Sequence, residues 1–379
     1  MDDRLSTVLR RIERNEPDIA WADVEERLAR APARRPARPA TIVVGLALTL
    51  GSVGILAVTV RPYGEDAAAG GRPGAILFDY RRTIATNDVR RQQVQVWSVE
   101  PDGSNPRLVF DVPEAYDDGA RWSPDGTRIL LSSFTPDGEG GVFVMNADGT
   151  GMREVLSGFA CGSLSWFPDG RGVLCGGGPW REGEDGRNEL EDDGVWRIEL
   201  GSGEARKVLG AGFADPVVSP DGRRVAVVGV LEQDDRDTVS ELFVANVDGT
   251  GLRRLTSDGG GHYAEAVWSP DGSSLAASWE PAGGVLAFDV YRVDASDGSR
   301  VRLTDWEGWD SSPVWSPDGS RIAFMSDRTA DPSARERWLE MGSGPFEQSV
   351  FVMDADGSDP TLVFRGEAFA APTSWGPGA

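Results

Sequence analysis

One pentapeptide returns along most of this 379-residue chain and limits what the chain can fold into. It reads WSPDG at residues 122–126, 268–272 and 315–319, WFPDG at 166–170 and VSPDG at 218–222, with W-G-P-G at 375–378. Its prolines stand at 124, 168, 220, 270 and 317, so the intervals are 44, 52, 50 and 47 residues. That spacing is blade length for a propeller. Each copy has the chemistry of a hairpin turn: proline fixes φ, aspartate bonds back to the backbone, and glycine accepts a positive φ. Runs rich in β-formers follow, such as RILL at 128–131, RVAV at 224–227 and RIAF at 321–324. A second turn then comes each time, at Asp102-Gly103, Asp148-Gly149, Ser202-Gly203, Asp248-Gly249, Asp297-Gly298 and Asp356-Gly357. It lies between strands such as 142–145 and 254–256, so each unit holds four strands.

The two ends complete each other. The first unit begins with AILF at 75–78 and has no pentapeptide before it, whereas the chain ends with a spare innermost strand at 372–375. Pairing the termini in one blade removes the open sheet edges. The expected fold is therefore an all-β, six-bladed propeller over residues 75–379, closed by its N- and C-terminal strands. This pattern resembles the TolB-like propeller family, whose repeat reads x-P-x-W-S-P-D-G-x-x-I-A-F-x-S, then I-Y-V-M-x-x-D-G, then R-L-T. Residues 312–326, SPVWSPDGSRIAFMS, match it nearly throughout, and the resemblance extends over 75–378. Repeat three departs from it with Cys175 and a glycine run, and repeat four with Val218 in place of tryptophan. The resemblance implies the fold. It leaves function open, because such propellers serve as docking modules, transporter partners and peptidase filters.

Before the propeller, TIVVGLALTLGSVGILAVTV at 41–60 runs for 20 residues without a charge, enough for one helical crossing of a bilayer. Arg27, Arg30, Arg34, Arg35 and Arg38 precede it and Glu65 and Asp66 follow, which puts the N-terminus in the cytoplasm and the propeller outside. A cleaved signal peptide ending at Ala67-Ala68-Ala69 is the competing reading, but its leading and apolar regions are both too long. Residues 1–40 are expected as a short helical tail with a stiff connector at Pro32, Pro36 and Pro39, and 61–74 as a linker. The tail carries Leu5, Val8, Leu9 and Ile12 at helical spacing, and Ile19, Val24 and Leu28 more loosely. It resembles the helical tails of actinobacterial membrane proteins linked to sigma-factor control. The first reading is a solvated tail that only orients insertion; the alternative is a short docking helix that relays to a cytoplasmic regulator.

Composition excludes much chemistry. Net charge is −23 and the 38 basic residues include Lys207 as the one lysine, so nucleic acid is not an expected partner. With one histidine, His262, and two cysteines, Cys161 and Cys175, a zinc site or a histidine-rich lyase centre is not expected, nor is any cofactor. No G-x-S-x-G nucleophile motif occurs. The D-x-D-G string at 354–357 lacks the later acidic ligands of a calcium loop and reads as a turn.

Candidate binding residues collect on the rim of the blade-to-blade connectors. Each connector has an aromatic residue five to seven positions before its pentapeptide tryptophan or equivalent: Tyr116, Phe159, Phe213, Tyr263, Trp309 and Phe369. These residues either pack between blades or form a collar around the channel mouth, with His262, Trp306 and Asp310 beside it, receiving a peptide or saccharide end. The same rim is expected to carry long loops at 81–93, 176–193, 230–240 and 327–348, basic in the first and acidic at 182–193. Cys161 and Cys175 stand seven residues either side of Pro168, so a hairpin centred there brings them face to face. A disulfide is the expectation outside the membrane, and two buried thiols the alternative. The function expected is a non-catalytic, membrane-tethered module, monomeric as a propeller, for a protein partner in the cell envelope or a peptide or saccharide ligand. Two alternatives stand beside it: a hydrolase or lyase using rim carboxylates with His262, and a passive envelope scaffold.

Overall fold

The pentapeptides form the turns that their residues require. In a computed structural model that describes residues 46–49, 52–55 and 74–378, less 87–88, 113–115, 118, 135–139, 183–187, 234–237, 258–259, 282–287, 333–346 and 367–368, their five glycines have φ between 65° and 72°. The hydroxyls of Ser123, Ser219, Ser269 and Ser316 donate to the aspartate two residues on, at 2.6, 2.5, 2.6 and 2.6 Å. Each hydroxyl also accepts the amide of the residue five on, so the turn is closed from both sides. Those hydroxyls, with the amides that follow, hold the Asp125 and Asp318 carboxyls down at about 2.

Six four-stranded antiparallel sheets result, each beginning with an inner strand. The second blade runs from a split inner strand, Tyr116–Asp117 and Arg121–Trp122, through Arg128–Phe134 and Gly140–Asn146 to Arg153–Ser157. The third has Phe159–Trp166, Gly172–Glu182, Gly194–Glu199 and Ala205–Leu209, and the fourth Phe213–Val218, Arg224–Gln233, Thr238–Asn246 and Arg253–Arg254. The fifth has Gly261–Trp268, Ser274–Pro281, Asp289–Asp294 and Arg300–Arg302, and the sixth Asp310–Trp315, Arg321–Ser326, Ser349–Asp354 and Thr361–Phe364. The first blade is completed by the end of the chain: Phe369–Trp375 pairs with Ile76–Thr86 in the register Trp375↔Ile76 to Phe369↔Arg81, followed by Val89–Val99 and Arg107–Val112. The terminal pairing is as the sequence predicts, and reaches three residues further, to Phe369.

The core lies between blades. Each hydrophobic cluster joins two neighbours, as where Ala226, Leu242 and Val244 of the fourth blade meet Trp268, Leu275 and Val293 of the fifth. Alternate residues of one strand serve opposite interfaces: Leu275 and Ala277 face the fourth blade, and Ala276 faces the sixth. This is why these strands read as continuous apolar runs rather than alternating ones, since both sheet faces are buried. The pentapeptide tryptophans tie the blades together. The indole N–H groups of Trp122, Trp166 and Trp268 donate to Ala75, Arg121 and Val217 carbonyls of the preceding blade at 3.1, 3.2 and 3.0 Å. In return, Arg128 and Arg224 lie over the Trp166 and Trp268 rings of the following blade at 5.0 and 4.6 Å, and Arg321 over Trp375 at 5.4 Å.

Three of the four expected rim loops are in fact extended hairpins. The first blade pairs as far as Thr86↔Val89, the fourth as far as Gln233↔Thr238, and Trp180–Glu182 pairs with Asn188–Leu190 in the third. Ladder hydrogen bonds satisfy backbone groups that an open loop of this length would leave to water. Cys161 and Cys175 form a disulfide with Cα atoms 5.3 Å apart. They are not the directly opposed partners that the sequence count predicts: Cys175 stands opposite Leu164 and Cys161 opposite Gly177, with a bulge between Cys161 and Ser163 that lets the two meet diagonally.

Residues 1–65 make a separate unit. Its described part is a two-stranded hairpin, Leu46–Thr49 with Ser52–Ile55, in the register Leu46↔Ile55 to Thr49↔Ser52. The helix predicted over 41–60 is thus not the conformation of residues 46–49 and 52–55, and the rest of that segment lies outside the described residues. β-branched Thr49, Val53 and Ile55, with glycine at 51, suit a strand pair when apolar surface has no bilayer to enter. Among the described residues no helix is long and apolar enough to cross a membrane. The helical tail predicted within residues 1–40 lies outside the described residues.

Candidate functional site: the central cavity

Every inner strand breaks its register at one place. The shift falls between Ala214 and Val217 in the fourth blade, Ala264 and Val267 in the fifth, Ser311 and Val314 in the sixth, and Pro372 and Ser374 in the first. The third blade shifts at Cys161/Ser163, and in the second the inner strand divides between Asp117 and Arg121. The residue three positions before each pentapeptide tryptophan or its equivalent sits at this break: Gly119, Ser163, Asp215, Glu265, Ser312 and Pro372. All six line one cavity of about 390 Å³ on the propeller axis. Asp215, Glu265 and Ser312 have φ of 49°, 53° and 53°, and Gly119 has 63°. A left-handed backbone costs a non-glycine residue roughly 1–2 kcal/mol. Three such residues at equivalent places in consecutive blades aim polar side chains where regular strands would not, and strain of this kind gathers at functional sites.

The wall is charged: Asp79 is buried, Asp215 and His262 are half-buried and Glu265 is exposed. Glu265 accepts the Ser312 amide at 2.7 Å and the Ser278 and Ser312 hydroxyls at 3.0 Å each. Burial pushes its carboxyl up, and neighbouring Asp215 adds to the rise. Asp215 is raised by burial too, against the Glu265 amide, the Ser163 hydroxyl and the more distant Arg121 and His262. Asp79, from the second strand of the first blade, accepts the Gly119 amide at 3.0 Å. Burial raises it as well, opposed by Arg121 and Arg81. Arg81 lies over the ring of Phe369 at 4.8 Å, and both face the cavity. His262 completes the wall, its Nδ1 3.5 Å from a Glu280 carboxylate oxygen.

Of the residues singled out from sequence, the structure brings His262 and Phe369 to this cavity. The others do not form a collar. Tyr263 is fully buried between the fourth and fifth blades. Phe159 packs edge-on against Trp196 at 5.4 Å, and Phe213 against Phe243 at 5.4 Å. The side chain of Tyr116 lies outside the described residues. Trp309 stacks on Phe288 at 5.3 Å, and Phe288 meets the His262 ring at 5.7 Å. Beyond it, the Trp306 indole donates to Asp327 at 2.6 Å, and Arg328 pairs with fully buried Asp310 at 2.7 Å. Burial pushes the Asp310 carboxyl up to about 6, Arg328 opposing. The aromatic positions thus serve packing, because a large ring at a strand start gains more from the blade interface than from a wet channel mouth. The cavity residues carried a signal of their own: a polar residue or glycine three before the tryptophan or its equivalent in five of six repeats.

Comparison with known proteins agrees with this architecture. The TolB beta propeller domain model matches residues 214–371. An uncharacterized protein of Agrobacterium fabrum is 29% identical over 194 residues, which are 49% of this chain and 57% of that relative's own length. Among solved structures, TolB from Acinetobacter baumannii is similar with a TM-score of 0.56 at 18% identity, over 80% of this chain and 67% of that one. A putative TolB from Agrobacterium tumefaciens gives 0.54 at 20% identity, over 80% and 94%. The fold is a TolB-like six-bladed propeller.

Proposed function

We propose that this chain is a non-catalytic binding propeller of the cell envelope, tethered to the cytoplasmic membrane by residues 41–60, with its tail inside. The observation that carries the binding reading is the cavity wall, to which each blade gives one residue from a strand break, four of them in a left-handed backbone and three of those not glycine. Strained polar residues converging on one concave space are what a built ligand site requires. A protein partner, or a peptide or saccharide ligand, engages this end of the axis. The tether rests on the 20 uncharged residues and the arginines before them. A lone strand pair leaves its edges unsatisfied in hydrocarbon, so in a bilayer the same residues take the helical form, in which every backbone group is paired within the segment.

The test is crosslinking capture from native membranes, run on the full chain and on a version without residues 1–38. An envelope protein is expected with both, and a cytoplasmic regulator with the full chain alone. Recovery of the full chain in an alkaline carbonate wash, rather than in the membrane pellet, would remove the tether. A second reading, hydrolase or lyase, has one observation behind it: the His262–Glu280 approach at the cavity wall. Turnover by the purified chain separates the two readings: an enzyme with a single histidine shows it and loses it in His262→Gln, whereas a binding module shows none.

A further inference from the structure

Taking the cavity as the binding site, we infer that the group it receives is a primary ammonium, presented by a peptide N-terminus, a lysine side chain or a small amine. Carboxyl groups outnumber guanidinium groups on the wall, which also carries His262. Three carboxyl groups, Asp79, Asp215 and Glu265, face two guanidinium groups, Arg81 and Arg121. Arg121 acts on Asp79 and Asp215, whereas Glu265 is held by neutral amide and hydroxyl donors alone and has Asp215 as its charged neighbour. Asp79 is 4% exposed, and its Oδ1, unlike Oδ2, has no hydrogen-bond partner. A buried acceptor without a donor is costly, and a ligand N–H removes that cost.

The class of ligand follows by charge and shape. An anion meets three carboxyl groups, and a neutral saccharide leaves Glu265 without a counter-charge. Among the described residues no three histidine, cysteine or carboxylate side chains stand together as a metal shell. A cation that carries its own N–H donors answers both the charge and the unpartnered oxygen. Burial pushes these carboxyls toward their neutral form, and an ammonium among them restores ionisation. A volume of about 390 Å³ admits the end of a peptide or a short amine rather than a folded domain.

Isothermal titration of the detergent-solubilised full chain tests this with triglycine amide, Nα-acetyl-lysine amide and n-butylamine. The controls are N-acetyl-triglycine amide and tetramethylammonium, which lack the primary ammonium. At least one primary amine is expected to bind about tenfold or more tightly than both controls, and the arm that does so names the source. Glu265→Gln and Asp79→Asn should each weaken it about tenfold, with thermal midpoints of the variants checked beside. Equal binding of a control, or no binding by any amine, overturns the inference. If a control binds and Glu265→Gln abolishes it, the cavity remains the binding site and only the ammonium is wrong. If nothing binds, crosslinking from the cavity mouth decides whether the cavity reading survives.

Discussion

At the scale of single residues, the molecule keeps two populations of carboxylates that respond to acid in opposite ways. The turn aspartates Asp125 and Asp318 are held at about 2, below their unfolded values near 3.8. Their contribution to stability is present above pH 4 and is lost as pH falls toward 2. Asp310 is the reverse. With its carboxyl at about 6 in the folded chain and 3.8 unfolded, it favours folding below about pH 4, and that contribution is lost as pH rises through 6. Denaturant midpoints measured from pH 4 to 7 should therefore fall across this window, and Asp310→Asn should flatten that fall. A slope unchanged in the variant would contradict the assignment. Arg224 offers a packing test: it covers Trp268 at 4.6 Å and donates to the Gly272 carbonyl at 3.1 Å. Arg224→Ala should cost about 1–2 kcal/mol in chemical denaturation.

Among elements, the closing strand and the third-blade disulfide matter most. Phe369–Trp375 supplies the inner strand of the first blade and buries Trp375 and Ala370 against the sixth. A chain ending at residue 368 should leave that strand's partner as an open edge and self-associate on size exclusion; a monodisperse monomer would show that closure is dispensable. The Cys161–Cys175 bridge closes a loop with a sequence separation of 14, so replacing both cysteines by alanine should cost about 2–3 kcal/mol. Here the division between legible and hidden features is clear. The pentapeptide spacing gave away the blades, and the spare strands at 75–78 and 372–375 gave away the closure, because local turn chemistry and strand count determine both. The bulges were not legible as such. A one-residue break in a strand is not written in the letters on either side, so nothing in the strand pattern singled out Asp215, Glu265 and Ser312. The same blindness placed the cysteines directly opposite each other and left open whether the connector rings pack between blades or form a collar.

On the scale of the whole molecule, six blades with interfaces of similar make-up form a rigid frame, and what distinguishes one blade from the next is what it sends to the axis. The second to sixth blades send Gly119, Ser163, Asp215, Glu265 and Ser312, while the first sends Pro372 together with Asp79 and Arg81. Rigid scaffolds commonly place function on variable loops. In this chain the more constrained positions are at the axis, where strain, buried charge and an unpartnered oxygen coincide. The most direct test of the cavity as the functional surface is site-specific photocrosslinking in native membranes, with p-benzoylphenylalanine at Phe369, which faces the cavity, or at Leu362, which is exposed on the outermost strand of the sixth blade. Adducts from Phe369 that Glu265→Gln diminishes, with none from Leu362, are the expected result. Adducts from Leu362 and none from Phe369 would place the binding surface on the blade edges and contradict the central claim.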